Sequence, residues 1–224
     1  MPKPNDTKSR IITAAAKLFF ENGYEQTTLR QIAKQVGMTH VSILKHFDSK
    51  LELATQTIND YLNGLRRTCD ALIASFPADM PDDYFRHLLW WSLHFKMLAD
   101  NQPFRRFYIS FYREGPVVSA QLIDKNLMDE SPQPPFQIGE KSDFISLSLM
   151  SAADANLASL IDMGIIDNLV ATKLIVHLNG FLGFIPSYNP DESVISEFFE
   201  AYLADIEVDI LNDYLLSAYE DEAG

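Results

Sequence analysis

Helical spacing of apolar residues dominates this chain. Apolar side chains recur every three or four residues in nearly every periodic segment, and we find no convincing alternation of the kind that marks a half-buried strand. With 224 residues, 47% of them hydrophobic, the chain can bury a sizeable core. The sequence therefore predicts an all-α fold. The predicted helices lie near residues 7–22, 29–36, 40–46, 49–75, 82–99, 104–113, 117–128, 142–163, 167–184 and 191–219.

Composition narrows the class of protein. There is no uncharged apolar run of membrane-spanning length and no early apolar run with a basic start, so we predict neither a membrane span nor a signal peptide and expect a cytoplasmic protein. Cys69 is the only cysteine and has no disulfide partner within the chain. His87 and His94 lie seven residues apart on one predicted helical face, but no third ligand stands beside them at helical spacing. No metal or other cofactor is expected.

A helix-turn-helix pattern lies within the first fifty residues. Thr28 begins a capping box with Gln31, and the helix that follows ends at Gly37. The turn from Gly37 to Thr39 leads straight into another helix. Two short helices joined by such a turn form the module whose second helix enters the major groove of DNA. We therefore predict a DNA-binding domain over residues 1–50.

Positive charge is concentrated in the same segment. The formal net charge of the chain is −13, although Lys and Arg that neutralise phosphates supply most non-specific DNA affinity. Residues 1–50 carry eight Lys or Arg against four Asp or Glu, a net charge of +4, which leaves −17 on the rest. We expect this asymmetry to orient the chain on DNA, because the phosphates attract the positive segment and repel the rest. The alternative explanation of the asymmetry is that the charges cluster by chance.

A helical wheel divides the second helix of this module into two faces. With Ile43 inward, Phe47 is inward too. Ser42 and Lys45 face outward, where they can bond base edges or phosphates, and outward Val41 can contact a thymine methyl group. Single exposed hydrophobes are also commonplace, so chance exposure is the alternative. The outward face consists of Val41, Ser42, Leu44 and Lys45.

The next helix offers a phosphate site at its start. Ser49 and Glu52 form a second capping-box pattern, and Lys50 lies in the first turn, where backbone N–H groups and the helix dipole favour an anion. The alternative is a capped helix with a solvated lysine.

These segments resemble the amino-terminal signature of the TetR family of transcriptional regulators. The resemblance rests on the runs RIITAAAKLFFENGY (residues 10–24), TTLRQIA (27–33), GMTHVSILKHF (37–47) and SKLEL (49–53). It implies an all-helical homodimer that binds a palindromic operator in double-stranded DNA as a repressor and releases it when a small effector binds. Residues 51–224 are then expected to form a helical ligand-binding and dimerisation domain.

The resemblance also implies DNA contacts at seven positions, namely Thr28, Arg30, Thr39, His40, Ser42, His46 and Lys50. Val41 and Leu44 replace the usual glycine and tyrosine of the family, and Lys45 stands where histidine is frequent. The operator sequence should therefore differ from that of more typical members. With the outward face added, the predicted DNA-binding residues are Thr28, Arg30, Thr39, His40, Val41, Ser42, Leu44, Lys45, His46 and Lys50.

Beyond residue 75 the chain resembles nothing further. Aromatic residues crowd segments 90–95 and 104–112, which suits either a packed core, the favoured interpretation, or an apolar effector cavity. Asn179 adds a further polar group to the candidates. The predicted effector pocket comprises Trp90, His94, Phe107, Tyr108, Phe111 and His177.

Small residues recur in the helices near 142–163 and 167–184, which favours close packing there, either across a homodimer or within one chain.

Two functions other than ligand-responsive regulation are considered. A ligand-independent architectural DNA binder would need a basic body. A helical enzyme would need a nucleophile with its base, a phosphate loop or a metal cluster, and we predict no catalytic residue.

Overall fold

The computed structural model of the chain describes residues 4–76, 83–113, 141–183, 191–204, 206–210 and 216–220. Helices make up most of this part, which confirms the predicted helical fold class. The predicted helix at 117–128 lies outside the described residues. The elements are α1 (Pro4–Asn22), α2 (Leu29–Gln35), α3 (His40–Ile43), α4 (Lys50–Ser75), α5 (Asp83–Asp100), α6 (Gln102–Tyr112), α7 (Lys141–Asp162), α8 (Asn168–Phe181), α9 (Glu192–Tyr202), β1 (Ile206–Ile210) and β2 (Leu216–Glu220).

The predicted last helix, 191–219, is too long. Helix α9 ends at Tyr202, and β1 and β2 then form an antiparallel pair with Ile206 opposite Glu220. The sequence from Ile206 to Ile210 alternates apolar and acidic residues, which is the two-residue period of a strand. The strand pair lies beside α4 and α5 and is a small addition to a helical protein.

We call α1, α2 and α3 the head. Its core consists of apolar side chains from all three helices and the segment after them, and includes Ile11, Phe19, Ile32, Ile43 and Phe47. The turns that end α1 and α2 adopt positive φ at Gly23 and Gly37, with values of 83° and 69°. The resulting arrangement of α2 and α3 is a helix-turn-helix.

We call α5 to α9 the body, and α4 joins it to the head. Helix α4 packs on both α1 and α5. Helix α5 lies at the centre of the body and contacts α4, α6, α7 and α8, so most of its side chains are buried. Among the described residues, no helix combines the length and hydropathy that crossing a bilayer requires.

Candidate DNA-binding face and effector region

The outer face of α3 is exposed and unusually apolar. Val41 is 65% exposed and Leu44 is 39% exposed, while Ile43 and Phe47 are buried in the head. This confirms the inward and outward assignment made from the helical wheel. Arg30 and Lys45 are also exposed on the head. Contacts of these residues with DNA stay predictions, because the structure contains no nucleic acid.

Two hydroxyl groups hold the start of α3. The backbone N–H of Ser42 donates to Oγ1 of Thr39 over 3.1 Å, and the two side-chain oxygens lie 2.8 Å apart. Thr39 is therefore the N-cap of α3. Since one hydrogen bond between two hydroxyls uses one O–H group, the other O–H of the pair is left to donate to a phosphate or a base.

Capping also fixes the starts of α2 and α4. The predicted box at Thr28 is formed: its N–H donates to Oε1 of Gln31 over 2.7 Å, and the N–H of Gln31 donates back to Thr28 Oγ1 over 3.3 Å. At α4, the backbone N–H of Glu52 donates to Ser49 Oγ over 3.0 Å. The carboxylate of Glu52 accepts from the backbone N–H of Asp48 and not from that of Ser49.

Lys50 is held in place instead of being freely solvated. Its Nζ donates to the carbonyl of Tyr24 over 2.8 Å and lies 4.1 Å from the centroid of the Tyr24 ring. The ammonium group is therefore fixed between the first turn of α4 and the loop that joins α1 to α2. His40 and His46, two further predicted contacts, are half-buried.

A buried hydrogen-bond network connects three helices of the body with α4. His94 on α5 is 2% exposed; its Nδ1 lies 2.7 Å from the hydroxyl of Tyr61 on α4, and its Nε2 lies 3.0 Å from Oδ1 of Asp154 on α7. The hydroxyl of Tyr108 on α6 donates to Oδ2 of Asp154 over 2.5 Å. The pKa of both tyrosines is raised well above the usual value, mainly by burial and secondly by the nearby Asp154 charge. Both hydroxyls therefore stay protonated and can donate hydrogen bonds.

The six residues of the predicted effector pocket make contacts in different parts of the protein. His94 and Tyr108 both contact the carboxylate of Asp154. Phe107 and Phe111 pack instead against Phe19 and Tyr24 of the head. His177 lies on α8 with its Nε2 3.9 Å from Oε1 of Glu192 on α9, and Trp90 is half-buried on α5. Their role in effector binding stays a prediction.

Sequence reasoning missed Tyr61 and Asp154. Asp154 is the one acid among the small and apolar residues of segment 148–160, and that contrast was the available signal. Several other buried polar atoms in the body have no hydrogen-bond partner among the described residues. They are Trp91 Nε1, Ser92 Oγ, Ser151 Oγ, and Nδ2 and Oδ1 of Asn179.

A stripe of large apolar side chains is exposed on α7, α8 and the turn between them. Phe181 is 86% exposed. The small residues Ser151 and Ala158 are instead buried within the chain, which favours intrachain packing as the reason for their size. We call the exposed set the apolar stripe; it consists of Leu149, Met163, Ile165, Val170, Leu174 and Phe181.

Residues 11–57 match the family model described as bacterial regulatory proteins of the tetR family. This segment, 47 of the 224 residues, is similar to the amino-terminal domain of the TetR family. The matched segment contains α2, α3 and the first turns of α4, so the DNA-reading helix of the family corresponds to α3 here. No group of His, Cys, Asp and Glu suited to holding a metal ion occurs in the described parts of the chain.

Curated relatives match the same TetR domain. The negative transcriptional regulator of the biofilm operon icaADBC, IcaR from Staphylococcus aureus, is 44% identical over 61 residues, 26% of this chain and 33% of that protein. The transcriptional regulator TtgR of Pseudomonas putida is 37% identical over 67 residues, 30% of either chain. The matches thus span about a third of the length of these relatives.

A solved TetR-family regulator of Streptomyces coelicolor has 15% sequence identity and a TM-score of 0.49, covering 84% of this chain and 99% of that one. The similarity to the TetR family rests on the sequence matches of the amino-terminal segment.

Proposed function

We propose that this chain is a transcriptional repressor that binds a palindromic operator as a homodimer and releases it when a small, partly apolar effector binds. The observation that carries the proposal is the exposed outer face of α3, with Val41 and Lys45 at the surface of a helix-turn-helix. Negative regulation by IcaR supports repression over activation for this chain as well.

The charge distribution supports docking through the head. Residues 1–50 carry +4 and the rest of the chain −17, so the negative phosphate backbone attracts the head and repels the body. Lys45 and Lys50 then make phosphate contacts, while Val41 contacts a thymine methyl group and Ser42 a base edge. An architectural DNA binder, the alternative, needs a basic body, which this chain lacks.

The apolar stripe supports a homodimer formed through α7 and α8. Val170, Leu174 and Phe181 recur at helical spacing along α8, and their side chains are exposed in the single chain. A second copy related by a two-fold axis would cover the same stripe on both chains. The dimer also meets a mechanical need, because two reading helices must lie about 34 Å apart to read a palindrome.

Unpartnered polar atoms support effector binding inside the body. An unbonded buried polar group costs on the order of 1–3 kcal/mol, so such groups are uncommon in a folded protein. Trp91, Ser151 and Asn179 lie on α5, α7 and α8, three helices that pack on one another. An effector that bonds these groups would be bound among largely apolar surroundings.

Selection of retained sequences from a random double-stranded DNA library tests the proposal, with the purified full chain as bait and its mass measured by light scattering. We expect a palindrome and a mass of two chains. Retention of DNA without a sequence preference would favour the architectural alternative, and no retention at all would overturn the proposal.

A further inference from the structure

Two separate contacts join the head to the rest of the protein. In the first, α6 lies against α1: the ring of Phe107 stacks on Phe19 with centroids 5.1 Å apart, and Phe111 meets Tyr24 edge-on at 6.4 Å. In the second, α4 begins in the head and continues along α5, with Tyr61 fully buried between the two. Any change of the head's orientation relative to the body has to move α6, α4 or both.

Both contacts lead to one carboxylate. Tyr108 follows Phe107 directly on α6, and its hydroxyl donates to Oδ2 of Asp154. Tyr61 reaches the other oxygen of Asp154 through His94, in steps of 2.7 Å and 3.0 Å. Each oxygen of Asp154 therefore serves one of the two contacts between head and body.

The network is buried throughout. The hydroxyl of Tyr61 is buried, and His94 Nδ1 is its hydrogen-bond partner. The carboxyl group of Asp154 accepts from Tyr108 at one oxygen and lies 3.0 Å from His94 Nε2 at the other. A buried polar group that loses its hydrogen-bond partner is destabilising, so both oxygens of Asp154 favour the observed positions of their partners.

We propose that Asp154 couples α4 and α6, so that displacement of this one carboxylate releases both contacts that orient the reading head. The inference rests on the proposed function and names the residue through which the body regulates the head. An effector can reach it from one helical turn away, where Trp91 precedes His94 and Ser151 precedes Asp154 by three residues. Each of these two residues has a buried polar atom with no hydrogen-bond partner in the described part of the chain. The Trp91 ring meets that of His94 edge-on at 5.7 Å.

Three variants test the coupling in the full chain. Tyr108→Phe removes the hydrogen bond from α6 to Asp154, Tyr61→Phe removes the hydrogen bond from α4 to His94, and Asp154→Asn replaces one of the two acceptor oxygens with an amide NH₂ group. We expect each single tyrosine variant to weaken binding to the selected operator about tenfold, because the reading helices lose their fixed spacing. The double tyrosine variant should weaken binding by much less than the product of the single effects, and Asp154→Asn should match it.

A matched control separates coupling from simple stability. Thr172 on α8 is buried and donates to the carbonyl of Asn168 over 2.8 Å, a bond within its own helix that involves no member of the network. Thr172→Val should lower the melting temperature yet leave operator affinity unchanged. Tyrosine variants that melt earlier but bind like the wild type, or whose effects multiply independently, would overturn the inference. If Asp154→Asn does not fold, the operator affinities of the two single tyrosine variants and of their double variant test the coupling by themselves.

A second readout needs no DNA. Amide hydrogen exchange in α1 and in the first turns of α4 should accelerate in Tyr108→Phe and in Tyr61→Phe, again without additivity, while Thr172→Val leaves these segments protected. Non-additive acceleration of exchange in a protein that binds no DNA selectively would refute the proposed function but support the coupling through Asp154. Unchanged exchange in the head would refute the coupling itself.

Discussion

The Nζ atom of Lys50 lies 2.8 Å from the carbonyl oxygen of Tyr24 and 4.1 Å from the centroid of the Tyr24 ring. One ammonium group thereby fastens the start of α4 to the loop between α1 and α2. The same group lies in the first turn of a helix, where an anion is favoured. Lys50 therefore combines a structural role in the head with the predicted phosphate contact.

Replacement of Lys50 with methionine should affect both roles. Loss of the hydrogen bond and the cation–π contact should lower the free energy of unfolding by about 1 kcal/mol, measured by urea unfolding. Loss of a phosphate contact should reduce the slope of log affinity against log salt by about 1 per chain. Lys34→Met removes the same charge from an exposed position of the head and should leave the salt slope nearly unchanged. Equal slopes in the two variants would contradict the phosphate contact.

Val41→Ala should relax the operator sequence at one position without affecting folding. The side chain is 65% exposed, so its truncation costs little stability in the free protein. If it packs on a thymine methyl group, the lost contact is worth about 0.8 kcal/mol for each buried methyl-sized group, or roughly fourfold in preference for thymine. Sequencing of DNA retained by both proteins measures this. An unchanged preference would show that Val41 does not contact a base.

The head was predictable because its determinants are local. Thr28 caps a helix through a residue three positions away, and Gly37 ends that helix by adopting positive φ. Both signals lie within a few residues of what they determine, and so does the wheel that placed Ile43 inward. Only the contact with DNA needs information from outside the chain.

The network in the body was not predictable for the opposite reason. His94 and Asp154 are separated by 60 residues, and Tyr61 and His94 by 33, so no periodic pattern brings them together. Phe107 looked like a cavity residue because aromatic spacing on one helix does not reveal which neighbour it faces. In the segment Ile206–Ile210 the short alternation was outweighed by a longer helical pattern on its amino-terminal side.

Leu174→Glu should abolish dimer formation. Leu174 is 49% exposed in the middle of the apolar stripe, and a two-fold contact would bring two new carboxylates close together in an apolar interface. We expect light scattering to give the mass of one chain and palindromic DNA to be retained poorly. Ala201→Glu adds the same charge at an exposed position on α9 and should remain a dimer. A dimeric Leu174→Glu protein would place the interface elsewhere.

Stability should fall above the ordinary pKa of cysteine because of Cys69. Burial, followed by the nearby Asp70 charge, raises the pKa of this thiol far above its usual value near 9. The thiol stays protonated in the folded chain and ionises in the unfolded chain, so alkaline pH stabilises the unfolded state. The stabilising contribution is complete below pH 9 and declines by up to about 1.4 kcal/mol per pH unit above it. Urea unfolding from pH 7 to pH 10 under reducing conditions should show this decline. In Cys69→Ala the free energy of unfolding should change less between pH 9 and 10. This window is chosen because tyrosines of the unfolded chain ionise only at higher pH. A profile identical to that of the wild type would contradict the assignment to Cys69.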